Sequence, residues 1–456
     1  MKRIKTGSWQ RQWHIANAGL RAGVGWAGGQ LRTFGLSGDA LQEARDQLTY
    51  QQASRWVAEL GQLKGSIVKM GQILATYADY CLPPPIALAL HQLESDTQPL
   101  AWSAIQLQLQ RVYGEQLADL IVEPMPLAAA SLAQVHKARV KADNRSLCLK
   151  ILYPGVSDTL DSDLAVLASG LRWWLHGEEQ VSFEQWLSLI RQVLEAELDL
   201  IQEAGKLQRW QQRLAHDPRY VVPTVAVDFS GSDILAMSFE SGVAQHDVAV
   251  SALSQTRRNA IASAMLELLL REVLLWGEMQ TDPHPGNYRI RIHDEGADQL
   301  VLLDFGSVRP IAPELLEPLR RMVIAAWRYD SEALLEGIFE AGLLDRTAPQ
   351  EVQTAFSDVL MGLMEPLHYK LPDGSIRASV PTYALDAEGN YCWAQARLPK
   401  RMGKQALQSA FSKHFVFPGA DFLLLSRKLA GVYAFIAALD ARFDACLLVE
   451  KILQEG

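Results

Sequence analysis

The segment Gln280-Thr-Asp-Pro-His-Pro-Gly-Asn287 restricts the fold more than any other part of this sequence. Two prolines limit the backbone between an acid and an amide that stand five residues apart. An alternating strand pattern over 288–293, a polar turn over 294–298 and an apolar run over 300–303 follow, and the run ends at Asp304-Phe-Gly306. This order predicts a rigid loop, then a hairpin, then a carboxylate at the end of the second strand.

The same order is found in the catalytic loop of phosphoryl-transfer enzymes. In protein kinases a catalytic Asp and a metal-binding Asn stand at this separation and precede a hairpin and Asp-Phe-Gly. Asn287 and Asp304 are therefore predicted to bind magnesium, and Asp282 to orient or deprotonate the acceptor hydroxyl. His284 is interpreted as a packing or hydrogen-bonding residue, because no second His or Cys stands at ligand spacing.

A site of this kind also needs a lysine for the nucleotide phosphates, and the strand Leu147-Cys-Leu-Lys150 supplies one. Apolar residues follow Lys150, which makes it harder to expose than an ordinary lysine at the end of a strand. The glycine-rich phosphate loop is absent, and Pro126-Leu-Ala-Ala-Ala-Ser-Leu-Ala-Gln-Val-His136 stands in its place. Because the Cβ of alanine restricts positive φ and close approach to phosphate, this loop is expected to hold a nucleotide differently.

Composition argues against several other classes. The 456-residue chain has a net charge of −9, which gives wholesale nucleic-acid binding no electrostatic basis. Its four cysteines are scattered without a CxxC pair, which fits a reducing compartment and argues against structural zinc. The most apolar segments, around 261–276 and 422–439, contain charges, so no transmembrane segment is predicted. These charges are Glu267, Arg271, Glu272, Arg427 and Lys428.

The segment Met1–Gly38 differs from the rest of the chain. It contains basic residues and three tryptophans but no acidic residue, and it lacks the continuous apolar region of a secretory signal. Two main interpretations stay open: peripheral contact with an anionic membrane surface, or an arm packed on the protein with a solvated basic face. A mitochondrial-type transit peptide is a third, less favoured because serine is sparse in this segment. The predicted location is cytoplasmic, with peripheral contact at the inner membrane face under the first interpretation.

Periodicity predicts the secondary structure of the remaining chain. In the first half the predicted elements are helix over 38–110 with a Pro-rich stop at 82–85, a hairpin of strands 133–140 and 147–152, and helix over 183–214. Short strands are predicted at 221–227 and 234–239, and helix almost throughout from about residue 252 onward, which includes a long helix over 256–276 before the loop and hairpin that precede Asp304.

Further motifs complete a resemblance to a known family. Lys69-Met-Gly-Gln72 is similar to a KxGQ motif, Ala128-Ala-Ala-Ser131 to an alanine-rich loop, and Glu197-Leu-Asp199 to an ExD motif. Together with the catalytic loop and Asp304-Phe-Gly306, and in this order, they resemble the UbiB/AarF (ADCK-type) atypical kinase family. The similarity runs from about residue 20 to 345. One departure is Gln280-Thr281, where the family usually has His-Ala, and it affects the packing of the loop.

The resemblance implies a role for each motif. Lys150 would contact the α- and β-phosphates and pair with a helical acid, either Glu197 or Glu203. Asp304 and Asn287 would bind magnesium, and Asp282 would be the catalytic aspartate. The residues implied to lie around the nucleotide are Ala128, Ala129, Ala130 and Ser131, with Met237 and Phe239 of the hinge Met237-Ser-Phe-Glu240.

Two further charged groups are given roles. Lys69 and Gln72 would come from an N-terminal helical extension folded over the active site. Asp199, Glu203 and Lys206 share one helical face, which fits either a salt-bridge cluster or a solvated charged face.

The fold implied by the resemblance is α+β and protein-kinase-like, with two lobes, a small β-rich N-lobe and a mostly helical C-lobe. The basic arm and the helical extension would occupy residues 1–100, the N-lobe with the alanine-rich loop 101–240, and the C-lobe with the catalytic loop 241–456. ATP or ADP and Mg²⁺ are the implied cofactors. A small-molecule or isoprenoid-lipid ligand and a role in ubiquinone-type lipid metabolism are also implied.

The residues after Asp304-Phe-Gly306 argue against a protein substrate. Ala312-Pro-Glu314 resembles the motif that closes a kinase activation segment, but it begins only six residues after Gly306, and a helical pattern starts at once. The acceptor is therefore expected to be a small molecule, a lipid or water. Two other classes stay open: a nucleotide-switched pseudokinase, and a lipid-binding assembly factor without phosphotransfer.

Overall fold

The computed structural model describes residues 39–61, 84–90, 92, 99–129, 132–172, 178–371, 373–398, 401 and 420–455. The chain divides into two compact units, one comprising residues 1–204 and 225–239 and the other 205–224 and 240–456. The predicted functional division at residues 100 and 240 remains a prediction.

Helices and strands are numbered here in chain order. The helices are α1 (Asp39–Gly61), α2 (Pro84–Leu90), α3 (Trp102–Tyr113), α4 (Val156–Arg172), α5 (Glu178–Leu198), α6 (Leu200–Leu214), α7 (Val248–Ser251), α8 (Gln255–Arg271), α9 (Pro313–Arg328), α10 (Ser331–Glu340), α11 (Gln350–Leu363), α12 (Glu365–His368), α13 (Trp393–Ala396), α14 (Ala420–Ala438) and α15 (Leu448–Glu455). The strands are β1 (Leu120–Ala129), β2 (Ala133–Val140), β3 (Ser146–Leu152), β4 (Tyr220–Val221), β5 (Ile234–Ser238), β6 (Glu278–Gln280), β7 (Tyr288–Arg291), β8 (Gln299–Leu302), β9 (Val308–Pro310), β10 (Tyr391–Cys392) and β11 (Arg442–Phe443).

The larger sheet belongs to the first unit and runs β1-β2-β3-β5, with all neighbours antiparallel. Side chains alternate between the two faces of a strand, and Leu147, Leu149 and Ile151 of β3 lie on a buried face. Lys150 lies on the opposite face and is only partly buried. Because β3 is paired on both sides, the backbone that carries Lys150 is fixed by two ladders of hydrogen bonds.

Most predicted elements of the first unit are confirmed. Strands β2 and β3 form the predicted hairpin, and Asn144 takes the left-handed conformation in its turn. The predicted helix over 183–214 is interrupted at Asp199, whose carboxylate accepts from the Gln202 amide at 2.9 Å and so caps α6. Strand β1 and helix α4 were not predicted, although buried residues of α4 recur at helical spacing, at Val156, Leu160 and Leu164.

The second unit is mostly helical and contains short strands. Strand β6 pairs with β9, and β8 lies between β4 and β7. A hydrophobic core joins α9, α10 and α11, and includes Met322, Leu334, Ile338 and Phe356. The predicted strand over 221–227 is confirmed only at its start, because β4 ends at Val221. The prediction of helix almost throughout from about residue 252 onward was too broad, because the described residues between 369 and 392 are largely irregular.

The charges inside apolar helix α8 are paired within the protein. Glu267 is 1% exposed, and its carboxylate accepts from Arg219 at 2.6 and 2.8 Å and from Lys451 at 3.0 Å. In the ranges that the structure describes, no helix has both the length and the apolar character to cross a membrane.

Candidate active site

The catalytic loop connects strand β6 to strand β7, and each of these strands pairs with a different neighbour. It leaves β6 at Gln280, which pairs with Val308 of β9, and it enters β7 at Tyr288. Thr281 donates to the carbonyl of Ser307 through both its amide, at 3.2 Å, and its hydroxyl, at 2.9 Å. The loop is therefore anchored at its first residue to the segment that follows Asp304-Phe-Gly306.

His284 has a structural role within this loop. Its Nδ1 accepts from the Gly286 amide at 3.0 Å and so caps the single 3₁₀ turn Pro285–Asn287. Its side chain therefore makes the hydrogen bond that the sequence interpretation expected.

Asp282 and Asn287 are linked directly. The Asn287 amide nitrogen donates to Asp282 twice, to the carboxylate Oδ2 and to the backbone carbonyl, each at 3.0 Å. The Leu303 amide donates to the Asn287 carbonyl at 3.0 Å, which ties the loop to the chain just before Asp304. An amide binds a cation only through its oxygen, and since the Asn287 amide nitrogen donates to Asp282, Oδ1 is left for that role.

Asp304 follows β8 and Leu303. Its Oδ1 accepts from the Gly306 amide at 3.0 Å, and Lys206 of α6 donates to the Gly306 carbonyl at 3.0 Å. Phe305 is 1% exposed, and its ring packs edge-on against Trp210 with centroids 5.6 Å apart. The position of Asp304 is thus set by the backbone turn after it and by the buried ring next to it.

Asn287 and Asp304 line one small cavity of the second unit. Its other polar lining residues are Glu272, Gln280, Tyr288 and Lys428. Magnesium in nucleotide sites is held by one or two protein oxygens and completed by phosphates and water. Asp304 and Asn287 both line this cavity, and the oxygens of their side chains are of the type that binds magnesium, so these residues suit the ion that the sequence predicts.

In the first unit, Lys150 pairs with Glu203. Its ammonium donates to both carboxylate oxygens, at 2.7 and 2.8 Å. Glu203 lies in the first turn of α6 and is 1% exposed. Of the two acids left open by the sequence, the lysine therefore contacts Glu203, whereas Glu197 lies near the end of α5.

The other members of the charged helical face have separate contacts. Asp199 caps α6, Glu203 binds Lys150, and Lys206 donates to the Gly306 carbonyl. Of the two interpretations, a solvated face is wrong for Glu203, because its carboxylate is buried.

The residues implied to surround the nucleotide lie on the sheet of the first unit. Ala128 and Ala129 end β1 and pair with Val135 and Gln134 of β2. Met237 is a buried residue of β5, and Phe239 follows that strand, with its ring 4.7 Å from the ammonium of Lys137. The remaining predicted residues, Ala130, Ser131, Lys69 and Gln72, lie outside the described residues.

Helix α14 brings two cations to the catalytic loop that the sequence analysis did not assign to the site. Arg427 donates to Asp282 Oδ1 at 3.0 Å. Lys428 donates to Glu272 Oε1 at 3.1 Å, and both of these side chains are almost wholly buried. The signal was present in the sequence, because Glu272, Arg427 and Lys428 are charges inside the otherwise apolar segments 261–276 and 422–439.

Known proteins resemble this chain over most of its length. The family described as ABC1 atypical kinase-like domain matches residues 92–338. The chain is 27% identical over 428 residues to "Atypical kinase coq-8, mitochondrial" of Caenorhabditis elegans, a match that covers 92% of this chain and 54% of that protein. It is 28% identical over 436 residues to "Atypical kinase COQ8B, mitochondrial" of Rattus norvegicus, covering 94% and 77%. It is 26% identical over 314 residues to "Probable protein kinase UbiB" of Marinobacter nauticus, covering 68% and 56%.

One solved structure shares the fold. The complex of Rv3197 with erythromycin from Mycobacterium tuberculosis superposes with a TM-score of 0.57 and 24% identity, covering 90% of this chain and 98% of that chain. At this identity the likeness shows the fold alone. Together with the family match, it confirms the predicted α+β, protein-kinase-like fold with two lobes. The chain spans only about half the length of the C. elegans relative.

Proposed function

The chain belongs to the ABC1 atypical kinase-like domain family, and we propose on this premise that it binds ATP, or ADP, with Mg²⁺ and turns over ATP. The family makes it an enzyme of kinase or ATPase type. One observation carries the proposal: Asp282 and Asn287 are hydrogen-bonded within a rigid loop, and Asn287 lines the same cavity as Asp304. In protein kinases these three positions hold the catalytic aspartate and the two magnesium ligands.

Each of the three has a distinct task. Asp304 and Asn287 supply the oxygens that hold magnesium, which neutralises the charge on the nucleotide phosphates. Asp282 orients the hydroxyl or the water that attacks the terminal phosphoryl group. Because hydrogen bonds to Asn287 and Ser307 fix the loop before the nucleotide binds, little reorganisation is needed in the transition state.

Lys150 binds the α- and β-phosphates in this proposal. Glu203 fixes the direction of the Lys150 ammonium, since both carboxylate oxygens accept from it. Ala128 and Ala129 with the two residues that follow them lie along the phosphates, and Met237 and Phe239 lie beside the base. Lys69, which the resemblance assigns to the N-terminal extension over the active site, is the last residue of this proposed nucleotide site.

The acceptor is a small molecule, a lipid or water. Ser307–Ala312 alone separates Gly306 from helix α9, and half of this segment is strand β9. A peptide-docking activation segment does not fit in so short a connection. The names of the relatives coq-8, COQ8B and UbiB agree with the isoprenoid-lipid, ubiquinone-type metabolism that the sequence resemblance implies. Peripheral membrane contact by the basic segment 1–38 belongs to the same proposal.

The test is magnesium-dependent nucleotide turnover, measured with and without vesicles of neutral lipid and of mixed neutral and anionic lipid. We expect ATP hydrolysis that requires Mg²⁺ and increases with the anionic vesicles. Nucleotide binding without hydrolysis in any condition would instead identify a nucleotide-switched pseudokinase.

The metal assignment is tested by Asp304→Asn. This variant is expected to fold and to lose the rise in melting temperature that Mg-nucleotide gives the wild type. Asp358→Asn, at an exposed position of α11, is the matched control and is expected to keep the rise. A rise in Asp304→Asn equal to that of the wild type would remove Asp304 from the metal site.

A further inference from the structure

Helix α14 contacts the catalytic loop at several points along its length. Arg427 binds Asp282, Lys428 donates to Gln280 Oε1 at 3.3 Å, and Gly431 lies against Pro283. We propose that α14 is the positioning element of the catalytic loop, with Arg427 and Lys428 as its positioning residues. This inference rests on the proposed function, because it concerns the geometry of the phosphoryl-transfer step.

Lys428 acts on both ends of the loop. Besides Gln280, which precedes the loop, it donates to the hydroxyl of Tyr288, which follows the loop, at 3.4 Å. The Tyr288 hydroxyl in turn donates to Gln280 Oε1 at 2.7 Å. One ammonium group therefore links the two residues between which Asp282 and Asn287 are held.

The burial of the Lys428–Glu272 pair indicates a role in geometry more than in stability. The two side chains are 1% and 0% exposed. Removing two charges from water costs about as much as their attraction returns, so an apolar pair of similar volume would pack these helices as well. An apolar pair would donate no hydrogen bond to Gln280 or Tyr288. The ion pair therefore differs from an apolar pair in that its lysine donates hydrogen bonds to Gln280 and Tyr288 at the two ends of the loop.

Arg427 acts on Asp282 itself. Asp282 Oδ2 accepts from Asn287 and Oδ1 accepts from Arg427, each at 3.0 Å. Both carboxylate oxygens are thus held, which fixes the carboxylate plane. The side chains of Arg427 and Asp282 are 40% and 29% exposed, so the pair contributes little to stability and stays within reach of an acceptor.

The experiment separates positioning from folding. The double variant Glu272→Leu/Lys428→Met replaces the buried ion pair by apolar side chains. Arg427→Gln removes the cation from Asp282, and Arg427→Lys returns a cation there. The control is Arg346→Gln, which removes an arginine from another ion pair of the same unit, with Glu336. The kcat and KM of Mg-dependent ATP hydrolysis and the melting temperature are measured for each full-length protein.

We expect kcat to fall about 10- to 100-fold in the double variant and in Arg427→Gln, with KM for ATP within about twofold of the wild-type value. The melting temperature of the double variant stays at or above that of the wild type. Arg427→Lys recovers part of the lost kcat, and Arg346→Gln has the wild-type kcat.

A folded double variant with wild-type kcat overturns the role of Lys428, and so does a double variant that does not fold, because the pair is then structural. Wild-type kcat in Arg427→Gln overturns the role of Arg427. A change confined to KM overturns both, since it reports nucleotide binding and not loop geometry. If the wild-type protein itself hydrolyses no ATP, the proposed function fails, and this inference fails with it. If the wild type is active and the variants match it, the inference alone fails.

Discussion

Lys150 donates to both carboxylate oxygens of Glu203, at 2.7 and 2.8 Å. The two side chains differ in exposure, at 19% for the lysine and 1% for the glutamate. The lysine thus compensates the charge of a carboxylate that water barely reaches. Loss of the cation and loss of the anion should therefore have different consequences.

Lys150→Met should lower the free energy of unfolding by about 1 to 3 kcal/mol, because a buried carboxylate loses a charged donor. The double variant Lys150→Met/Glu203→Gln should lose less than the sum of the two single variants, since a neutral amide is easier to bury than a carboxylate. Urea unfolding of the four proteins gives the coupling free energy. Strict additivity would contradict the pairing.

Ala128→Gly and Ala129→Gly should change nucleotide affinity. Both residues lie at the end of β1, next to the predicted phosphate loop, and glycine gives this backbone more freedom. We expect the dissociation constant of ATP or ADP to change about two- to fivefold, the equivalent of the ~0.4–1 kcal/mol of a Gly/Ala exchange. Titration calorimetry measures it, and Ala118→Gly, at an exposed position of the same unit, serves as the control. If both constants are unchanged, these alanines only connect strands.

The Glu272–Lys428 pair should make stability depend on pH. Burial raises the pKa of the Glu272 carboxyl to about 7, from its ordinary value of 4.5. Burial lowers the pKa of Lys428, but the adjacent Glu272 outweighs this effect, so its pKa stays above the usual 10.5 and the lysine does not titrate near neutrality. The folded protein therefore keeps a proton that the unfolded chain has released. Glu272 therefore stabilises the folded protein most below pH 4.5, and this contribution is lost as the pH rises to about 7.

The measurement is the unfolding free energy of the wild type minus that of Glu272→Leu/Lys428→Met, taken between pH 5 and 7.5. We expect this difference to fall by up to about 3 kcal/mol as the pH rises, because the wild type alone loses the contribution of Glu272. A difference that is the same at every pH would show that Glu272 has an ordinary pKa.

Gly431→Ala should destabilise the protein, although alanine is normally the better helix former by about 1 kcal/mol. A Cβ on Gly431 would meet the Pro283 Cβ at 2.2 Å, so the helix or the loop must shift. Both the unfolding free energy and kcat should fall. Gly205→Ala on α6 is the matched control, because its nearest neighbour would be 3.9 Å away, and it should stabilise the protein. A more stable Gly431→Ala protein would contradict the close packing of α14 on the loop.

The catalytic loop, its hairpin and Asp304 were predictable because their signals are local. Prolines, turn residues and strand alternation lie within one continuous stretch between Gln280 and Asp304. The acid that contacts Lys150 could not be predicted from the sequence. Glu197 and Glu203 both lie on helices, and only tertiary packing brings one of them to the lysine.

Lys428 shows the same limit over a longer distance. In the sequence it served only to argue against a membrane span, and nothing local connects it with Gln280, 148 residues away. The replacement of the family's usual histidine by Gln280 can be related to hydrogen bonding. An amide oxygen can accept two hydrogen bonds, and Gln280 Oε1 accepts from both Tyr288 and Lys428. A neutral imidazole offers a single acceptor nitrogen.

The packing of Phe305 has a pharmacological consequence. Its ring is held in an aromatic cluster with Trp210, which also contacts Trp276, and the chain pairs with β6 again from Val308 onward. Some protein-kinase inhibitors bind by expelling the phenylalanine of Asp-Phe-Gly from its pocket, and the residues that follow it must then move as well. Here only Gly306 and Ser307 lie between Phe305 and the paired strand β9. A screen of such compounds should therefore give few hits against this protein, and selective inhibitors are better sought among molecules that compete with the nucleotide itself.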